Sequence, residues 1–395
     1  MAVLMLALVS LAELLGMTMW FSATAVTPAI AETFGLRAGS AAWLTMAVQA
    51  GFVAGTLGSA LLSLPDLLNP RRLFAIGCVA GAVANAGVAV ASDVAPIIAC
   101  RFLTGVTLAW VYPPGLKIAA GWTRHRRGTA LGVVVGALTV GSAFPHLLSS
   151  LTAGVDWRSV VLAASGLATA GGVIVIAVVR DGPHVAETSP FNPRAAFEVF
   201  ASRGARLATL GYLGHMWELY AMWTWFGSFV AASLAAGGHP RAAALGSLAA
   251  FVAVASGAPG CVLAGMWADR LGKARVAGAA MVASGICALA AGWLFGGPYP
   301  ALVAFGAVWG FAVVADSAQF SALVVDHSPR AQVGTALTLQ TCSGFFLTLL
   351  TIRLLPVLAA SLGWAWVFAL LAPGPFLGAW AMRRLADPRL ASAGT

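Results

Sequence analysis

The stretch from Glu218 to Phe226 reads ELYAMWTWF, and the stretch from Glu13 to Phe21 reads ELLGMTMWF. They share glutamate, leucine, methionine, tryptophan and phenylalanine at the same spacing, and they lie 205 residues apart. Each sits inside a long apolar run, where an ionisable side chain is expensive and uncommon. The recurrence of so unusual a motif indicates that the chain is built from two related halves.

Three further matches follow in the same order, at offsets of 203 to 207 residues. They are Asp66 with Asp269, the tetrapeptide GTAL at Gly128 and at Gly334, and Trp157 with Trp364. A parallel repeat of this kind predicts two six-helix halves, with a transport site between them near the bilayer midplane.

The composition places both halves in a membrane. Of 395 residues, 60% are hydrophobic and only 9% are charged, too few charges to cover a soluble protein. Twelve apolar runs have the length of about 20 residues that a helical span needs. They are 4–28, 41–64, 73–92, 95–121, 128–151, 158–179, 206–235, 242–267, 275–295, 299–324, 334–359 and 363–382.

We therefore predict an all-α polytopic membrane protein, with twelve transmembrane helices in two pseudo-symmetric six-helix bundles. The predicted units are an amino-terminal bundle over 1–180, a central cytoplasmic loop over 181–205 and a carboxyl-terminal bundle over 206–395. The first apolar run is too long for the core of a cleaved signal peptide and is expected to be a retained helix.

Loop charges predict the orientation. With the amino terminus inside, sixteen loop lysines and arginines fall on the cytoplasmic side and three on the other. We expect a multi-pass protein of a bacterial inner (plasma) membrane, with both termini cytoplasmic. This asymmetry accounts for the net charge of +9 without a nucleic-acid partner. The expected partners are the lipid bilayer, a small-molecule substrate and protons, and the expected state is a monomer.

Catalysis and cofactors are not expected. The five cysteines lie in apolar runs without metal-ligand spacing, so neither a metal site nor a disulfide is predicted. No Ser-His-Asp, HExxH or CxxC pattern indicates an enzyme, and no P-loop indicates ATP drive.

The loop GMWADRLGKAR, from Gly265 to Arg275, matches the pattern G-x-x-x-D-R-x-G-[RK]-x-[RK] at every defined position. In this loop and in its twelve spans, the chain resembles the major facilitator superfamily. The resemblance implies alternating access, with a cytoplasmic gate formed by Gly265, Asp269, Arg270, Lys273 and Arg275. The equivalent loop LSLPDLLNPRR keeps Asp66 and Arg71 but lacks both glycines, so it is expected to be a weaker counterpart.

The same resemblance implies that spans 1, 4, 7 and 10 line the central cavity, and these spans carry most of the intramembrane ionisable residues. The expected substrate and proton pathway comprises Glu13, Trp20, Arg101, Tyr112, Lys117, His215, Glu218, Trp225, Asp316 and Gln319. Helical spacing places Glu13 and Trp20 on one stripe, and His215, Glu218 and Trp225 on another. Trp223 and Trp309 are assigned to packing or to the membrane interface.

Two pairings are expected within this pathway. His215 and Glu218 stand three residues apart on one helical face, so they can meet and exchange a proton. Arg101 resembles the family's helix-4 arginine, which implies a pairing with Glu13. Our hypothesis is that Glu13, Glu218 and Asp316 load and release a coupling proton. The alternative is that Glu218 is a static partner of a cation.

The sequence therefore predicts a secondary active transporter that moves a small organic solute, coupled to protons. An uncoupled facilitator and a drug/proton efflux antiporter remain alternatives on the same fold. The antiporter is disfavoured because span 5 lacks the closely spaced Gly-Pro and Gly-Gly pairs of that group. Three cavity acids favour a cationic or neutral solute, and an organic anion bound by the basic groups stays open.

Overall fold

The computed structural model describes residues 1–123, 127–184, 192 and 202–387. Within these ranges the chain is helical and contains no strand. Ten helices there are long and apolar enough to cross a membrane. Two interrupted spans, one at each end of the described chain, complete the predicted twelve.

The spans of the first half have the following bounds. They are Ala2–Met17 with Thr27–Phe34 (span 1), Gly39–Leu61 (span 2), Pro70–Val90 (span 3), Val94–Gly121 (span 4), Gly128–Leu151 (span 5) and Arg158–Ala177 (span 6).

The second half repeats this arrangement. Its spans are Arg203–Ala236 (span 7), Ala242–Leu271 (span 8), Lys273–Leu294 (span 9), Tyr299–His327 (span 10), Val333–Leu362 (span 11) and Val367–Leu371 with Pro373–Ala386 (span 12). Span 7 begins before its predicted start at 206. Most of the predicted central loop lies outside the described residues.

The two ends of the bundle differ in charge. We call the end that holds residues 62–72 and 270–275 the basic end, because Arg71, Arg72, Arg270, Lys273 and Arg275 lie there. The end that holds 35–38 and 237–241, with Arg37 and Arg241, is the opposite end.

Local sequence sets where several helices begin. Ahead of span 3, the side chain of Asn69 accepts a hydrogen bond from the backbone N–H of Arg71, and Pro70 follows as the first helical residue. Ahead of span 4, the side chain of Asp93 accepts from the backbone N–H of Val94.

Besides spans 1 and 12, three of the ten long spans are interrupted near their middle. Span 4 breaks between Leu108 and Tyr112, because Pro113 and Pro114 have no N–H to bond the carbonyl groups four residues earlier. Span 8 breaks at Ser256, ahead of Pro259. Span 10 breaks at Asp316, where one helix ends and the next begins.

The packing of the spans follows the repeat. In the first half, span 1 packs on spans 5 and 6, span 2 on span 4, and span 3 on spans 4 and 6. Spans 7 to 12 repeat these neighbours, with span 7 on spans 11 and 12, span 8 on span 10, and span 9 on spans 10 and 12. The halves meet where span 5 packs on span 8 and span 2 on span 11. These two interfaces exchange under the pseudo-twofold relation.

Glycine contacts show the same symmetry at the level of single atoms. A side chain on Gly105 would overlap the carbonyl oxygen of Val48, and one on Gly310 would overlap the carbonyl oxygen of Ala253. Both members of the first contact lie 205 residues before their counterparts in the second. The absence of a Cβ lets spans 2 and 4, and spans 8 and 10, approach to backbone contact.

Candidate functional site

Arg101 holds together a break in span 1. The α-helix ends at Met17, and residues 18–23 form turns before a 3-10 turn at Thr24–Val26. The Arg101 guanidinium is fully buried and donates to the carbonyl oxygens of Met19, Trp20 and Leu44. The same group also donates to side-chain oxygens in spans 1 and 3, namely Ser22 Oγ at 3.2 Å and Asn85 Oδ1 at 3.0 Å.

This arrangement differs from the expected pairing of Arg101 with Glu13. A planar guanidinium carries five N–H donors, and here they bond oxygens of spans 1, 2 and 3, including the Met19 and Trp20 carbonyls beside the break. Arg101 is therefore a structural cation of the first half. In the second half, Gly306 stands at the equivalent position, and Phe226 packs where a side chain on Gly306 would lie. Span 7 runs unbroken through the repeated motif.

Glu13 lies inside the first half, between spans 1, 3 and 4. Its side chain is fully buried, and neither carboxyl oxygen has a hydrogen-bond partner among the residues that the structure describes. A side chain on Gly115 of span 4 would overlap this carboxyl group, so the glycine makes room for it. A buried carboxylate without a partner is strongly unfavourable in its ionised form.

Glu218 lies at the repeat-equivalent place in the second half, and it has a partner. The indole N–H of Trp309 in span 10 donates to Glu218 Oε1 at 2.7 Å, with both side chains buried. No lysine or arginine forms an ion pair with Glu13, Glu218 or Asp316 among the described residues. Trp309 was expected to serve packing, and sequence spacing alone contained no signal for this bond.

His215 contacts Asp316 rather than Glu218. Its Nδ1 lies 2.8 Å from Asp316 Oδ1, the distance of an ion pair, although the two groups are not aligned as a hydrogen bond. Both side chains are buried, and the imidazole also packs on Phe320 with ring centroids 5.5 Å apart. Two polar contacts therefore join spans 7 and 10, one between His215 and Asp316 and one between Glu218 and Trp309.

Aromatic rings from both halves fill the centre of the molecule. Trp20 and Phe52 from the first half pack on Tyr220 and Phe345 from the second, with the Phe52 and Phe345 centroids 4.5 Å apart. Phe21 and Trp223 extend this group toward the opposite end. We call these six residues the aromatic cluster. Trp20 was predicted to line the site, whereas the other five members are additional.

A cavity of about 610 Å³ opens between the halves at the opposite end. It is formed by spans 1 and 5 from the first half and by spans 7 and 8 from the second. His146 lines it and packs on Phe21 of the aromatic cluster, with ring centroids 6.0 Å apart. Trp225, one of the predicted pathway residues, also lines this cavity, and it donates its indole N–H to the Ile352 carbonyl at 3.0 Å.

The remaining predicted pathway residues lie on the parts of spans 4 and 10 that follow the break in each span. Tyr112 begins the helix Tyr112–Gly121 and is half-buried, and Lys117 lies on the same helix. Gln319 is buried on Ser317–His327, one turn from Asp316. Trp20 therefore lies at the centre of the molecule and Trp225 at the cavity. The three acids lie within the two halves, Glu13 in the first and Glu218 and Asp316 in the second.

The predicted gate residues divide between two sets of contacts. Asp269 approaches Gly128 at the amino end of span 5, and Gly265 lies near the Gly128 carbonyl, so this loop does contact the other half. Lys273 pairs with Asp326 of span 10, Nζ to Oδ2 at 2.6 Å. Arg270 and Arg275 are exposed.

In the first loop, Arg71 does not reach across to the second half. It makes a two-pronged contact with Asp181, with distances of 2.9 Å to Oδ1 and 2.8 Å to Oδ2, and it donates to the Val179 carbonyl. Asn69 also donates to Asp181. The side chain of Asp66 lies outside what the structure describes.

Comparisons with known proteins agree with this architecture. The family model described as Major Facilitator Superfamily matches residues 8–260 and 239–394. A crystal structure of a mutant of the nucleoside transporter NupG superposes with a TM-score of 0.73 at 14% sequence identity, covering 97% of this chain and 100% of that one. At that identity the likeness concerns the fold alone. A search of curated protein sequences finds no match.

Proposed function

The chain belongs to the major facilitator superfamily, a family of membrane transporters, and from this premise we propose that it is a secondary active transporter. It moves a small organic solute by alternating access and couples that movement to protons. The observation that carries the proposal is the burial of Glu13 and Glu218 at equivalent places in the two halves, without a lysine or arginine partner in the described part of the chain.

The arrangement at the centre supports alternating access. A cavity open at one end stops at the aromatic cluster, to which both halves contribute. Rocking of the halves about the contacts between spans 5 and 8 and between spans 2 and 11 separates Trp20 and Phe52 from Tyr220 and Phe345. A solute then passes between them as the opening moves from one end to the other.

The buried acids support proton coupling. An ionised carboxylate enclosed without a cation is destabilised by several kcal/mol, so closing the protein around Glu13 favours its protonated form. Opening that region to water allows the proton to leave. Glu218 differs because Trp309 can stabilise its charge. His215 and Asp316 form a second exchangeable pair one turn closer to the basic end.

The loops supply the orientation and the gate. We propose that the basic end faces the cytoplasm of a bacterial cell, in accord with the loop charges. Asp269 at the amino end of span 5 gains from the positive end of that helix. Separation of the halves at the basic end breaks this contact, so Asp269 favours the state in which that end is closed.

The coupling is tested with purified protein in proteoliposomes. Glu13→Gln and Glu218→Gln keep the shape of each side chain but remove its exchangeable proton. We expect both variants to retain solute counterflow and to lose accumulation driven by a pH gradient. Glu32→Gln, on an exposed carboxylate at the opposite end, is the matched control and should behave as wild type. Absence of pH-driven accumulation in the wild type would identify an uncoupled facilitator, and unchanged accumulation in both test variants would contradict the role of these two carboxyl groups.

A further inference from the structure

The side chains that line the cavity at the opposite end indicate which class of solute it can hold. Its described lining residues include no aspartate, glutamate, lysine or arginine. Residues that carry hydroxyl groups line it from both halves, among them Thr24, Ser149 and Thr152 on one side and Thr224 on the other. A charged solute would find no opposite charge there, so the lining suits an uncharged one.

The hydrogen bonds that these side chains already make indicate whether they can donate to a ligand or accept from it. Ser149 donates its proton to the Ala25 carbonyl at 3.0 Å, Thr152 to Leu148 at 2.8 Å, and Thr224 to Tyr220 at 2.6 Å. A hydroxyl has one proton to donate and two lone pairs that accept. Because the protons are engaged with the backbone, these side chains present acceptor oxygens to a ligand.

His146 provides the most specific feature of the cavity. It is only 5% exposed, and its Nε2 has no hydrogen-bond partner among the described residues. Buried polar atoms in native proteins are nearly always paired. This nitrogen is itself enclosed by protein atoms, so it pairs with a ligand in the cavity only when the imidazole ring turns toward that ligand. Its contact with Phe21 puts that ligand beside the aromatic cluster.

We infer that this cavity is a recognition site for an uncharged solute rich in hydrogen-bond donors, such as a polyhydroxylated molecule, with His146 as its principal polar contact. The inference rests on the proposed function, because it names the class of solute that such a transporter takes. The volume of about 610 Å³ falls within the range of roughly 300–1,000 Å³ typical of small-molecule sites.

The test compares solutes that differ mainly in charge. Binding of glucose, glucosamine and glucuronate to the full chain in nanodiscs is measured by equilibrium dialysis, and uridine is compared with uridine monophosphate. We expect the uncharged member of at least one series to bind at least tenfold more tightly than its charged analogues. Tighter binding of the charged members, or binding of no uncharged member, would overturn the inference.

The role of His146 is tested in the same assay. His146→Ala should weaken binding of the uncharged solute about tenfold, and His146→Gln should restore part of it, because the amide keeps a polar atom near Nε2. His239→Ala, an exposed histidine at the same end, is the matched control. Equal binding by wild type and His146→Ala would contradict the assignment, provided that the thermal melt shows the variant to be folded.

A second readout does not depend on transport. Ser228→Cys, placed in a background in which the native cysteines are replaced, should react with a maleimide and be protected by the uncharged solute. Binding and protection without flux would sustain the site and refute the transporter. Flux of a charged solute, without protection by uncharged ones, would sustain the transporter and refute this inference.

Discussion

Gly105 and Gly310 make the same contact in the two halves of the molecule, each against a backbone carbonyl of the neighbouring span. Because the atom that a methyl group would overlap belongs to the main chain rather than to a flexible side chain, a methyl group at either position forces the two spans apart. We predict that Gly105→Ala and Gly310→Ala each lower the free energy of unfolding by roughly 1–3 kcal/mol.

The measurement is thermal or denaturant unfolding of the purified variants in detergent. Gly58→Ala and Gly166→Ala are the controls, since nothing lies within 4 Å of a Cβ at either place. Both controls should be neutral or slightly stabilising, because alanine favours a helix over glycine. A loss in only one of the two test variants would show that the repeat does not extend to this contact.

Arg101 is predicted to be a stability residue. Arg101→Ala removes buried donors from the Met19 and Trp20 carbonyls and from the Asn85 amide oxygen. The hydroxyl group of Ser22 has one proton and can donate it to Met19 or to Asn85 but not to both, so it replaces only part of what is lost. Each such group costs about 1–3 kcal/mol, so we expect a loss of roughly 3 kcal/mol or more in an unfolding titration.

Arg101→Lys should recover little of this stability, because one ammonium group cannot reach the same set of oxygens. Arg241→Lys, on an exposed arginine, should leave the melt unchanged. If Arg101→Ala melts like wild type but loses proton-driven transport, the arginine takes part in proton transfer as its family resemblance implied.

Trp309→Phe tests the partner of Glu218. The substitution keeps an aromatic ring in the core but removes the indole N–H that Glu218 Oε1 accepts at 2.7 Å. We expect a loss of about 1.5–3 kcal/mol, as for a hydrogen bond to a charged group. In the double variant Trp309→Phe with Glu218→Gln, the total loss of stability should be smaller than the sum of the losses in the two single variants. Additive losses in this cycle would mean that the bond contributes nothing.

The contact between Arg71 and Asp181 predicts a pH dependence. The Arg71 guanidinium, which hydrogen-bonds Asp181, lowers the pKa of that carboxyl group below its ordinary value. A lowered pKa in the folded state means that the contribution to stability is present above the ordinary aspartate range and is lost as the pH falls through the lowered pKa.

The pair is exposed, so Asp181→Asn should reduce stability by no more than about 1 kcal/mol at pH 7. The difference in Tm between wild type and variant should shrink in acid. Hydrogen exchange should also quicken at the amide of His184, which bonds the Gly121 carbonyl at 3.1 Å. A difference in Tm that grows in acid would contradict the assignment.

The fold could be predicted from the sequence because its determinants are local and repeated. Span length depends on the thickness of the bilayer, and the recurrence of ELxxMxxWF depends on duplication of one half. The break in span 4 lies at Pro113 and Pro114, two adjacent residues without an N–H group. Each of these signals lies within a few neighbouring residues.

The partners within the site could not be predicted, because they come from distant spans. His215 and Glu218 share a helical face, yet each meets a different residue of span 10. The repeated motif is broken in span 1 and continuous in span 7. The difference lies outside the motif, where Arg101 stands in one half and Gly306 in the other.

The most direct test of the central claim is solute counterflow in proteoliposomes that contain the purified protein. Vesicles are loaded with each uncharged solute of the panel in turn and diluted into a trace of the labelled solute. The account predicts transient accumulation of label for at least one solute, and its loss when Trp20 and Tyr220 are replaced together by cysteines and cross-linked. Absence of movement for every solute, charged or uncharged, with and without a pH gradient, would contradict it.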